Sequence, residues 1–124
     1  MNTSVNELIK KLPDYEDFMN LAEMIESVGK QKAILEIQIK TRETEVVRIV
    51  TTNPEFFQAG KVPSMALVEA TWKYTGIENE LVPLRLSLAE QTASLEKLKI
   101  KMDIYKTMLD IWRTLSANER SAGI

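Results

Sequence analysis

One long stripe constrains this chain more than any other feature. From Leu81 to Trp112, positions separated by alternating steps of three and four read Leu81, Leu84, Leu88, Gln91, Leu95, Leu98, Met102, Tyr105, Leu109 and Trp112. Only Gln91 interrupts the apolar series. The chain is 44% hydrophobic, so chance would fill fewer than half of these slots. Such a stripe winds into a single seam along an α-helix and requires a partner helix to cover it.

A second seam lies upstream. Leu21, Ile25, Val28, Lys32, Leu35, Ile39, Arg42, Val46 and Ile49 follow the same spacing, with Lys32 and Arg42 the two cationic members. The expected fold is therefore all-α: an antiparallel long helical hairpin, coiled-coil-like, in one domain spanning 1–124. A short N-terminal helix (1–13) precedes the first long helix (15–51). A connector carrying a short helix (53–76) leads to the second long helix (79–117), and 118–124 form a frayed tail. At about 1.5 Å per residue the second arm spans roughly 50 Å. Two rods side by side expose much surface, which makes oligomerisation the expected way to complete the core.

Local signals place the boundaries. Ser4-Val5-Asn6-Glu7 has the pattern of a capping box, followed by apolar Val5, Leu8, Ile9 and Leu12. Pro13 ends that turn, because the residue before proline is driven out of helical geometry. Asp14 can cap the next helix, with Glu16 and Asp17 in its first turn facing the positive end of the dipole. Gly29 lies mid-helix at a cost of about 1 kcal/mol relative to Ala, as a close-packing point or as a kink. Asn53-Pro54 stops the first long helix. Phe56 and Phe57 are expected to fold back onto the hairpin end, Gly60 permits a turn, and Ser64 caps a short helix bearing Met65, Leu67, Val68 and Trp72. Gly76 ends it. Pro83 sits in the first turn of the second arm, where a missing amide proton matters little.

The distal second arm has more apolar residues than one seam uses. Ile100, Ile104, Met108, Ile111 and Leu115 form a further stripe about a quarter-turn from the Tyr105–Trp112 line. It requires a different neighbour: the N-terminal segment around Leu8, Ile9 and Leu12, a subunit interface, or both if that segment docks on a neighbouring chain.

Composition removes much chemistry. With no Cys and no His there is no disulfide, no thiolate or imidazole metal site and no His acid–base catalysis. No metal ligand spacing, phosphate loop or nucleophile motif is present, so no catalytic residue and no cofactor are expected. The start Met1-Asn2-Thr3-Ser4-Val5 has no signal-peptide pattern and no run is long enough for a membrane span. The expected location is cytoplasmic.

Charge is nearly balanced: 16 basic against 18 acidic side chains, net −2. A nucleic-acid binder of this composition must rely on a local basic face or on many subunits. Lys99, Lys106, Arg113 and Arg120 share one face, but Glu96, Asp103 and Asp110 precede the first three of them by three residues, favouring a salt-bridged surface. Lys97 and Lys101 have no acid at matching positions. Lys40, Arg42 and Arg48 form a loose patch, with Glu36 available to Lys40 and Glu45 to Arg42 or Arg48. Arg42 stands out because it lies on the seam. An isolated guanidinium in a dry interior is expensive, so the seam should open there towards a cavity, water, an acidic partner or a ligand. Tyr105 and Trp112 read as core. Trp72 suits either core packing or the stacking of an unpaired base.

The stretch from Arg48 to Trp112 resembles a phage family. A helix is followed by Lys61-Val62-Pro63-Ser64, then Ala66-Leu67-Val68-Glu69-Ala70, Leu84-Arg85-Leu86-Ser87-Leu88-Ala89-Glu90 and Leu95-Glu96-Lys97-Leu98-Lys99, ending in Met108-Leu109 and Trp112. This order is similar to the small helical-hairpin proteins related to the recombination mediator UvsY. The resemblance implies a homo-oligomeric ring that binds single-stranded DNA without sequence preference. It also implies that the ring helps a recombinase displace a single-strand-binding protein, in the host cytoplasm. It further implies a Lys-x-Arg DNA contact late in the first long helix, matching Lys40 and Arg42, with Arg48 in an alternative register. A ring would present one modest patch per subunit and act multivalently on one strand. The competing expectation is a virion assembly or scaffolding protein whose seams serve only protein contacts. A secreted Trp-x-Gly hairpin is excluded, since Lys73 and Tyr74 follow Trp72.

Overall fold

The computed structural model describes residues 2–122. Four α-helices account for most of them: α1 (Asn2–Lys11), α2 (Tyr15–Thr52), α3 (Met65–Ala70) and α4 (Leu81–Ala122). Among the described residues there is no β-strand, only an isolated antiparallel bridge between Gln58 and Lys61. No helix there is long and apolar enough to cross a membrane.

The cap signals operate largely as the sequence requires. The Asp14 carboxylate accepts the Asp17 amide proton at 2.8 Å, and Asp17 accepts that of Asp14 at 3.0 Å. This reciprocal pair satisfies amides that the first turn of α2 would otherwise leave unpaired. Asn53 caps the turn Pro54–Phe56 by accepting from the Glu55 amide. Ser64 Oγ accepts from the Leu67 amide at 3.3 Å and starts α3.

Three boundaries differ from expectation. The short N-terminal helix begins at Asn2, so Ser4 lies inside it rather than at its cap; the Ser4 side chain is outside the described residues. The connector helix is not uniform: α3 ends at Ala70 and the chain widens into a π-helical turn over Thr71–Thr75, closed by a 2.7 Å bond from the Gly76 amide to the Thr71 carbonyl. Residues 118–122 are helical, not frayed: beyond Pro83 in its first turn α4 meets no Pro or Gly before Gly123, and Arg120 Nε donates to the Ser116 carbonyl at 3.3 Å.

The chain divides into two compact units, Met1–Val28 with Ser94–Ile124, and Gly29–Ala93. In the second unit, Val46, Val50 and Val68 form a buried cluster on which Val47, Phe56, Trp72 and Ile77 pack. Phe56 thus folds back as its sequence suggests. Leu81, the first residue of α4, is completely buried. Gly76 makes this possible: it has φ +70, and a Cβ there would lie 2.7 Å from Leu81 Cγ. In the first unit, Leu21 and Pro13 are buried, and the Phe18 and Tyr105 rings meet edge-on with centroids 5.5 Å apart.

Burial follows both seams. Every seam position of α4 from Leu81 to Trp112, Gln91 included, is buried or half-buried, as is every seam position of α2 from Leu21 to Ile49. The period in the sequence therefore selects the covered face of each helix correctly. Gly29 meets no such need: α2 continues through it, and a Cβ there would touch nothing within 4 Å.

Candidate nucleic-acid interface

The cations of the α2 patch fall into two states. Arg42 is committed. Its Nε donates to Glu80 Oε1 at 2.6 Å and its Nη1 to Glu45 Oε2 at 2.8 Å. The Glu80 hydrogen bond, and then that of Glu45, raise the guanidinium pKa above its already high ordinary value. Among the expected occupants of an opened seam, an acidic partner is observed, in Glu80 and Glu45. Glu80 also lies near the Ile77 amide, at 3.4 Å, so the same carboxylate bridges α2 and the turn before α4.

Lys40 and Arg48 are different. Both are exposed, and neither has an ion-pair partner among the described residues. The pairing expected between Glu36 and Lys40 is replaced by Lys32 and Glu36 at 3.8 Å, one helical turn earlier. Glu45 goes to Arg42, which leaves Arg48 without it.

A residue the sequence reading did not single out completes this region. Arg85 is half-buried, with Nη2 donating to the Trp72 carbonyl at 3.1 Å and lying 3.4 Å from Glu43 Oε1. Its Nε is buried with no acceptor. Arg85 and Lys40 both line an open groove of about 470 Å³, with Ile37, Leu88, Glu36 and Glu43. The available signal was position: Arg85 flanks the seam residue Leu84, where a long side chain reaches across to the partner helix.

Trp72 belongs to the core. Its ring packs on the Val46–Val50–Val68 cluster. The neighbouring Tyr74 is 60% exposed, with the Lys73 ammonium 5.7 Å from its ring centroid.

In the other unit, Lys97 and Lys101 are exposed, and neither has a carboxylate partner among the described residues. Lys101 Nζ lies 5.8 Å from the Tyr105 ring centroid, a cation–π distance. Of the salt bridges expected along this face, Asp110 with Arg113 forms at 3.5 Å. The second stripe is uncovered: Ile100 is 58% exposed, Ile104 53% and Ile111 47%, whereas Met108 and Leu115 are half-buried. Ile111 and Leu115 line a shallow groove of about 270 Å³ with Thr107, Asp110 and Thr114. In the N-terminal segment, Ile9 is itself 48% exposed.

The arrangement suits non-covalent contact with a polyanion or a protein. Among the described residues, no group of carboxylates is placed to hold a metal ion.

The fold and site define a class: among the described residues, a long-helix, all-α protein with exposed cations and exposed apolar residues on its helix surfaces. No family model matches the chain, and neither a curated protein nor a solved structure matches it.

Proposed function

We propose that this chain is a helical-hairpin subunit of a homo-oligomer that binds single-stranded DNA without sequence preference, as a mediator that helps load a recombinase in place of a single-strand-binding protein. The observation that carries the reading is that the predicted contacts Lys40, Arg48, Lys97 and Lys101 are among the exposed cations without carboxylate partners in the described residues. Cations already neutralised by protein carboxylates gain little from phosphate. These four can displace counterions from a strand, which is the main source of non-specific affinity. Assembly follows from the uncovered isoleucines of α4 and multiplies a modest patch. The recombinase and the single-strand-binding protein as partners rest on the sequence resemblance alone, as does a phage origin.

The test is binding of the full chain to a poly-dT oligonucleotide across a salt series. The reading expects measurable binding at low salt and at least a tenfold loss between about 50 and 200 mM. Lys40→Ala with Arg48→Ala should weaken binding while leaving the oligomer intact. No binding at low salt would defeat the reading.

A second reading is favoured by one observation. Arg42, a residue implied as a DNA contact, is held by two carboxylates. On this reading the protein is a structural or scaffolding component that acts only through protein contacts. It predicts assembly with no nucleic-acid affinity at any salt concentration.

A further inference from the structure

The side of α2 opposite its seam carries a pattern of its own. At about 3.6 residues per turn, Ile34, Ile37, Lys40, Thr41, Thr44 and Arg48 fall within about a third of the helix circumference. All six are exposed. Ile34 is 54% exposed and Ile37 66%, so more than half of each stays in contact with water. Ile37 and Lys40 also line the groove shared with Leu88 and Arg85, so this face runs into a concave edge.

From 34 to 48 that arc contains no carboxylate. The three carboxylates on the same stretch of helix, Glu36, Glu43 and Glu45, lie outside it. Each is engaged, by Lys32 at 3.8 Å, Arg85 at 3.4 Å and Arg42 at 2.8 Å respectively. Lys40 and Arg48 have no such partner among the described residues. The face therefore joins apolar surface to unanswered positive charge, although the whole chain is net −2. A bare polyanion would use the cations and leave the isoleucines in water. A duplex would do the same, because its base faces are hidden in the stack. A single strand offers phosphates and uncovered base faces together.

We infer that Ile34 and Ile37 cover unpaired bases while Lys40 and Arg48 hold neighbouring phosphates, on this one face of α2. This deepens the proposed strand binding and rests on it. It adds two contact residues that carry no charge. Their share of the affinity comes from apolar area removed from water, which displaces no counterions and so leaves the salt dependence alone.

The test compares a dT oligonucleotide with an abasic strand of the same length, each titrated into the full chain across a salt series. The native chain is expected to bind the dT strand several-fold more tightly. Ile34→Ser with Ile37→Ser should abolish that difference while the slope of log affinity against log salt stays the same; Ile37→Ser alone should reduce it. Lys40→Ala with Arg48→Ala should do the opposite, flattening the slope and keeping the preference. Met65→Ser, at an apolar connector position that is 87% exposed, is the control and should keep both. Circular dichroism and light scattering of each variant are read in parallel. Equal binding of the two strands by the native chain, or a preference that survives in the isoleucine variants, overturns this inference while leaving strand binding standing. A fall in oligomer mass for the isoleucine variants makes the face a protein contact and also overturns it. No binding of either strand at low salt overturns the inference and the proposed function together.

Discussion

Arg42 shows how one residue can break a pattern and still obey it. A cation on an apolar seam is tolerable only when its charge is answered, and Glu45 and Glu80 answer it at 2.8 and 2.6 Å. Removing one carboxylate leaves a half-buried guanidinium under-compensated, so Glu80→Ala should cost about 1 kcal/mol in urea unfolding. Arg42→Leu removes charge and desolvation together and should change stability less. Equal losses for the two variants would show that Arg42 is not answered by Glu80 in solution. The glycines give a sharper contrast. Gly76 has φ +70 and no room for a Cβ beside Leu81, so Gly76→Ala should destabilise by about 2 kcal/mol or more. Gly29 is in open space within a continuous helix, and Gly29→Ala should stabilise by up to about 1 kcal/mol. Thermal unfolding of both variants checks the opposite signs.

At the scale of elements, the long helices are specified by period more than by any single strong residue. Leu81 is completely buried at the start of α4, and Leu81→Ala should cost about 2–5 kcal/mol. A loss below about 1 kcal/mol in denaturant unfolding would mean that this end of the helix is not packed as described. The two seams, the Asp14 and Ser64 caps, the stop at Asn53-Pro54 and the turn at Gly76 were all legible in the sequence. Each depends on a local rule: spacing, a side-chain acceptor, or a restricted φ. What escaped the sequence was decided without such a marker. The end of α4 was placed too early: residues 118–122 are polar but carry no breaker, and Glu119, Arg120 and Ala122 among them are good helix formers. The π-helical turn at Thr71–Thr75, which contains Trp72 packed against the valine cluster, has no marker in the residue spacing. The ion partners were only partly legible. Asp110 with Arg113 and Glu45 with Arg42 follow from i,i+3 spacing, whereas Arg42 with Glu80 and Arg85 with Glu43 join residues about forty positions apart. No periodicity encodes such pairs.

For the whole molecule, the account turns on unsatisfied apolar surface. Ile100, Ile104 and Ile111 are each about half exposed on one face of α4, and completing their burial is worth about 1 kcal/mol apiece, half the value for a fully exposed side chain. A few copies of this face brought together supply enough driving force for association. Under the proposed function, the same association would gather scattered lysines into a surface that holds a strand with an affinity falling as salt rises. Sedimentation of the full chain at several concentrations, beside Ile104→Glu, tests this most directly. The account predicts a mass several times that of one chain for the native sequence, and dissociation for the variant with its helical circular dichroism retained. A native chain that sediments as a well-folded monomer throughout would contradict it.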